Sequence, residues 1–127
     1  MTMERGEYGI KVATHFQVRE LSDQQLYICL LSSFGEPNKR IARVIDKSLR
    51  SVELDRHIVA EEMGIPTRLL FIWAVENRSQ VIAEIFERGE VPSSILEMIR
   101  AFKILSPSPP HARHNRQKAR AELFNKN

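Results

Sequence analysis

The chain opens with a period-two pattern and then settles into a period near 3.6. Ile10, Val12, Thr14, Phe16 and Val18 alternate with Lys11, Ala13, His15 and Gln17, which predicts a short half-buried N-terminal strand. A lone strand is marginal in water, so it needs a partner, for which its copy in a second subunit is one candidate; the same stretch also reads as a lead-in to the next helix. In LSDQQLYICLLSSFG, Ser22 and Gln25 have the spacing of a capping box, and Leu21 and Leu26 stand where a hydrophobic staple would close. A helix is therefore predicted over 22–33, burying Leu26, Cys29 and Leu30 and stopped by Gly35 and Pro37.

From Asn38 onward, NKRIARVIDKSLRSVEL sets Ile41, Val44, Ile45, Leu49 and Val52 at helical spacing, with Lys39, Arg40, Arg43, Lys47 and Arg50 largely on the other faces. This predicts one amphipathic helix with a basic side. Two further helices follow over about 54–63 and 67–77. SQVIAEIFERGE continues the pattern through Val81, Ile82, Ile85 and Phe86 to a stop near Gly89. Ser94 and Glu97 suggest a second capping box, opening a helix whose stripe is Ile95, Met98, Ile99, Phe102 and Leu105. SPSPP at 106–110 reads as a stiff linker, and RQKARAELF beyond it is too short to hold a helix alone. The expected architecture is all-α: a compact bundle of about five helices over 1–105, a short N-terminal strand, and a proline-rich linker with a disordered basic tail over 106–127.

RHIVAEEMGIPTRLLFIWAV, residues 56–75, has helix-turn-helix spacing. The motif needs a small residue where two helices meet, a residue tolerant of positive φ in the turn, and apolar contacts behind both helices. Ala60 and Gly64 fill the first two roles; Val59, Met63, Ile65, Leu70 and Trp73 fill the third, with Ile41, Val44 and Ile45 beneath. The face a recognition helix would turn outward is Pro66, Thr67, Arg68, Phe71, Ile72 and Val75. Only Thr67 and Arg68 in that set can hydrogen-bond a base edge or phosphate, so the apolar remainder favours burial in the core or in a subunit interface over major-groove insertion.

Composition changes this picture mainly through charge. The 127 residues, 43% hydrophobic and 28% charged, are ordinary for one soluble domain, and the net charge is +3. The segment 111–127 holds Arg113, Arg116, Lys118, Arg120 and Lys126 against Glu122, a net +4, so the rest of the chain is slightly acidic. A basic arm of this kind suits phosphates or an acidic protein surface, and equally a solubilising tail. The single cysteine, Cys29, allows no internal disulfide, no apolar run approaches the roughly 20 residues of a membrane span, and no signal-peptide pattern opens the chain; a cytoplasmic protein without a membrane partner is expected. His15, His57, His111 and His114 lack metal-ligand spacing, and Glu53, Asp55, Glu61 and Glu62 form no recognisable acid/base pair. No metal, no cofactor and no enzymatic activity is expected. Trp73 reads as core packing more readily than as a stacking platform for single strands.

The stretch 18–86 resembles the D subunit of the bacterial flagellar master activator and the related plasmid and integrative-element activators. VRELSDQQLYICLLSSF matches the leucine-rich first helix of that family, and Ala60, Gly64, Pro66, Leu69, Leu70, Ala74, Asn77 and Val81 match its helical corner and sequel. The basic helix at 39–50, the proline linker with its arginine tail, and a cysteine in the first helix depart from it. The resemblance implies a small all-helical transcriptional regulator working with a second subunit; a homodimer is the other assembly expected. Charge and position on the helix faces, and not the resemblance, mark Lys39, Arg40, Arg43, Lys47, Thr67, Arg68 and the tail residues Arg113, Arg116, Lys118 and Arg120 as candidate contacts to double-stranded DNA; for the helix at 39–50 a solvated basic face is the other reading. The alternative is an interaction or adaptor subunit that uses Phe71, Ile72 and Val75 as its interface.

Overall fold

Ser22 Oγ accepts from the Gln25 backbone N–H at 3.1 Å, and the Gln25 side chain accepts from the Ser22 N–H at 3.0 Å. That reciprocal cap, worth about 1 kcal/mol, starts the first long helix where its sequence places it. The structure is a computed structural model describing residues 3–5 and 9–105, with side chains from 9 to 103. Its elements are β1 (Met3–Arg5), β2 (Lys11–Ala13), α1 (Asp23–Ser33), α2 (Asn38–Val44), α3 (Leu49–Met63), α4 (Leu70–Glu76), α5 (Arg78–Glu87) and α6 (Ser93–Leu105), with 3-10 turns at Val18–Glu20 and Thr67–Leu69. The all-α class holds. The linker at 106–110 and the tail cations Arg113, Arg116, Lys118 and Arg120 lie outside the described residues.

The predicted strand shortens to three residues. β2 pairs antiparallel with β1, Glu4 opposite Val12, so its partner is an earlier piece of the same chain rather than a second subunit. Val12 and Ala13 are buried, and the chain then turns so that Phe16 meets Trp73 edge-on, ring centroids 5.7 Å apart.

α1 is the hub. Leu26, Ile28, Cys29, Leu30 and Leu31 are wholly buried, covering more than one face of the helix. A helix apolar on so many sides must be surrounded, and α1 packs against α2, α3, α4 and α5. From α2 to α6, the residues that close on it include Ile41, Val52, Val59, Met63, Leu70, Trp73, Val81, Ile85, Ile95 and Ile99. The far end of α1 is held by Arg78, whose Nε donates to Ser33 Oγ at 2.9 Å while its guanidinium lies 4.3 Å over the Phe102 ring. Phe34 and Phe102 stack with centroids 4.4 Å apart, which brings α6 against the α1 terminus. At the near end, Arg88 bonds Asp23, Glu84 and the Arg19 carbonyl, and the hydrogen bonds to Asp23 and Glu84 hold its guanidinium above the ordinary arginine range.

Two expected boundaries need correction. The single helix drawn from Asn38 through Val52 is broken at 45–48. Asp46 adopts φ 57°, the N–H groups of Asp46 and Lys47 return to the carbonyls of Arg43 and Ala42, and Ser48 Oγ then accepts from Ser51 N–H at 3.0 Å to start α3. The apolar period runs through this break because Ile41 and Val52 reach the same core from two helices. The second capping box does not open α6: that helix begins at Ser93, and the Pro92 carbonyl accepts from Ile95 and Leu96, placing Ser94 inside the first turn. With these changes there are six α-helices among the described residues rather than about five.

Candidate nucleic-acid and protein interface

The corner between α3 and α4 is built as its sequence requires. Gly64 sits at φ 76°, its N–H bonds Glu61 O at 3.1 Å, and the Ile65 N–H bonds Ala60 O at 3.0 Å. This paired closure needs a left-handed residue, which glycine supplies without strain. A Cβ at Gly64 would stand 3.9 Å from the Ala13 Cβ, an ordinary contact, so backbone conformation and not crowding calls for glycine there. Ala60 is buried, Val59, Met63, Leu70 and Trp73 lie in the core, and Ile65, Val44 and Ile45 pack partly buried against it. Helix α4 leans on α1, while α3 touches the 3-10 turn that leads into α4.

The outward face of the corner divides into polar and apolar parts. Pro66 and Arg68 are exposed, but Thr67 is only half-exposed and its Oγ1 lies 3.2 Å from His57 Nδ1 on α3. His57 Nε2 in turn lies 3.2 Å from Glu61. On α4, Leu70, Trp73 and Ala74 turn inward, Ile72 and Val75 are half-buried, and Phe71 is 44% exposed. Burial of Phe71 in the chain's own core, one of the two destinations its sequence suggested, is thus overturned. Leu54 and Ile58, one turn apart on α3, are also exposed.

The cations fall into a run and an outlier. Lys39 and Arg43 stand one turn apart on the exposed side of α2, Lys47 follows in the turn, and Arg50 opens the first turn of α3. Arg40, also on α2, pairs with Glu36 at 3.4 Å. Among the described residues, Lys39, Arg43, Lys47, Arg50 and Arg68 enter no ion pair. Arg68 belongs to the 3-10 turn before α4 and so is carried by a different element from the α2 run.

Two grooves flank α4. One, of about 370 Å³, is lined by Ser32, Gly35, Glu36, Pro37, Asn38, Arg56 and Phe71. The other, about 330 Å³, includes Phe34, Val75, Arg78, Ile82 and Phe102 in its wall. Phe71 and Val75 are one helical turn apart, so a single face of α4 borders both. Arg56 donates to Ser32 Oγ, and burial pulls its guanidinium below the ordinary value while Cys29 opposes that shift. The Cys29 thiol itself is pushed up to about 12 by complete burial. It is neutral and sequestered, not a nucleophile.

The sequence pattern did not single out Arg56 as a site residue. The signal was present: Val52, Arg56, Val59 and Met63 follow the inward spacing of α3, and a cation on that stripe asks what it faces. Arg78 had no comparable signal, because it joins elements far apart in sequence; the His57–Thr67 contact spans the corner between neighbouring elements and depends on how the corner folds. Among the described residues, no three His, Cys, Asp or Glu side chains gather where one metal ion could be held, and no helix is long and apolar enough to cross a membrane. Among the described residues this surface carries exposed cations without ion-pair partners on α2, the turn after it, α3 and the 3-10 turn before α4, and an apolar helix face between two grooves. Comparison with protein-family models, with curated proteins and with solved structures gave no match to this chain.

Proposed function

We propose that this chain is a DNA-associated transcriptional regulator that acts as a dimer or with a partner subunit, and that it binds rather than catalyses. The observation that carries the reading is the run Lys39, Arg43, Lys47 and Arg50: four exposed cations without ion-pair partners among the described residues, on α2, the turn after it and the start of α3, which lead into a helix-turn-helix corner. Cations left without carboxylates are free to displace counterions from a phosphate backbone, and that term supplies most sequence-independent affinity. Arg68 adds a cation at the corner itself. The tail cations Arg113, Arg116, Lys118 and Arg120 would lengthen the contact. Base reading falls largely to a partner, because the face of α4 that would enter a groove is apolar and Thr67 is engaged by His57. A gel shift with DNA fragments at low salt tests this: retention that rises with protein concentration is expected, and no retention at any concentration overturns the proposal.

The second reading, an interaction or adaptor subunit, is favoured by the 44% exposure of Phe71 between the two grooves. Replacing Phe71 and Ile72 with serine separates the roles. Loss of assembly with DNA retention intact assigns α4 to a protein interface; loss of retention in a still-assembled protein assigns it to DNA.

A further inference from the structure

We infer that the groove between α4 and the α1–α2 connection is a docking site for an acidic peptide segment of a partner protein, with a carboxylate on Arg56 and an adjacent apolar side chain on Phe71. The inference rests on the partner-subunit part of the reading above and names the chemistry that partner presents. Arg56 is half-buried, and its bond to Ser32 Oγ engages one of the five N–H donors of a guanidinium. Among the described residues no carboxylate lies within ion-pair distance of it. A cation that has lost water without gaining an anion is costly to keep, and a carboxylate arriving from outside would recover that cost through paired N–H···O bonds.

Geometry puts that donor group in the groove. Ser32, which Arg56 bonds, is itself a lining residue and only 2% exposed, so the guanidinium end of Arg56 stands at the groove floor. Glu36 lines the same space but is held by Arg40 at 3.4 Å, which offsets its repulsion of an incoming acid. Phe71 forms the lip and Asn38 adds an amide. The groove, about 370 Å³, has room for an acidic side chain and an apolar neighbour. A duplex phosphate suits the site poorly. It rides on a broad convex rod that cannot lower one oxygen to a recessed floor, whereas a carboxylate on the one- or two-methylene stem of Asp or Glu can.

The test is an NMR titration of the isotope-labelled full chain with N-acetyl-Glu-Phe-amide, with N-acetyl-Gln-Phe-amide, and separately with a DNA duplex. Saturable shifts at Arg56 Nε, Ser32 and Phe71 are expected with the Glu peptide, at least about tenfold tighter than with the Gln peptide. Arg56→Gln should erase that difference, and Phe71→Ala should weaken the Glu peptide several-fold while keeping its preference over Gln. If Arg56→Gln does not fold, the Glu-against-Gln comparison on the unaltered chain and Phe71→Ala still decide. Equal binding of the two peptides, no saturation, or Arg56 shifts induced by the duplex instead would overturn the inference. DNA retention on the same sample distinguishes a failed groove from a failed regulator: retention without peptide preference removes only the groove.

Discussion

Thr67 Oγ1 lies 3.2 Å from His57 Nδ1, so the one hydroxyl on the outward face of the corner is tied back to the preceding helix. A side chain so engaged positions the corner more than it reads bases. Thr67→Ala is therefore expected to change DNA retention less than about twofold, while Arg68→Ala weakens it on every sequence tested, the pattern of phosphate rather than base contact. Competition gel shifts with unrelated duplexes check both. Strong sequence-selective loss in Thr67→Ala would contradict this assignment.

Arg78 joins three elements, bonding Ser33 at the end of α1 from the start of α5 and lying 4.3 Å over Phe102 of α6. Its removal leaves a buried seryl group and two stacked rings without their cation. Arg78→Ala is expected to cost about 2–3 kcal/mol in urea unfolding, and Arg78→Lys should recover little because an ammonium cannot present the planar fork. Hydrogen exchange should show α6 amides losing protection first. Full rescue by lysine would show that charge alone matters.

Asp46 holds φ 57° at the end of α2, a conformation that costs a non-glycine residue about 1 kcal/mol or more. Asp46→Gly is expected to raise stability by up to about 1 kcal/mol, read as a higher urea midpoint with an unchanged slope. A lower midpoint would mean that the aspartate contributes a bond worth more than the strain it carries.

Asp46 also marks where sequence reading fell short. The all-α class, the capped start of α1 at Ser22 and the Ala60/Gly64 corner were legible because each depends on residues within a few positions of one another. The α2–α3 break was masked because the apolar period continues through it. Its local signs were an aspartate able to take left-handed backbone and Ser48 poised as a cap. The Ser94/Glu97 box misled because Pro92 starts α6 with its own carbonyl. Whether Phe71 faced core or solvent was not legible at all: α1 offers its surface to Leu70, Trp73 and Ala74, and only the assembled fold shows that no surface remains for Phe71. The Arg56 groove is non-local in the same way.

Cys29 gives stability an alkaline limit. Burial pushes its thiol up to about 12, so the folded protein keeps a proton that the unfolded chain releases earlier. The associated stability is complete below the ordinary thiol range and is lost as the pH climbs from there toward the folded value. Between about pH 9 and 11 the loss attributable to this group approaches 1.4 kcal/mol per pH unit. Tyr27, raised first by burial and then by Asp23, acts in the same direction. Cys29→Ala should be less stable than the parent near neutrality, through its cavity, yet show a shallower alkaline decline in urea midpoints. Parallel declines in the two proteins would rule Cys29 out as the cause.

The central claim is that Lys39, Arg43, Lys47 and Arg50 grip a phosphate backbone, and the salt dependence of duplex binding tests it most directly. Fluorescence anisotropy of a labelled duplex between about 50 mM and 200 mM salt should give a log–log slope of about −3.6 or steeper, one phosphate per cation, with affinity falling at least about a hundredfold. The variant with all four changed to glutamine should lose most of that slope while unfolding normally. A slope near zero in the parent protein, or the same slope in the variant, would contradict the account.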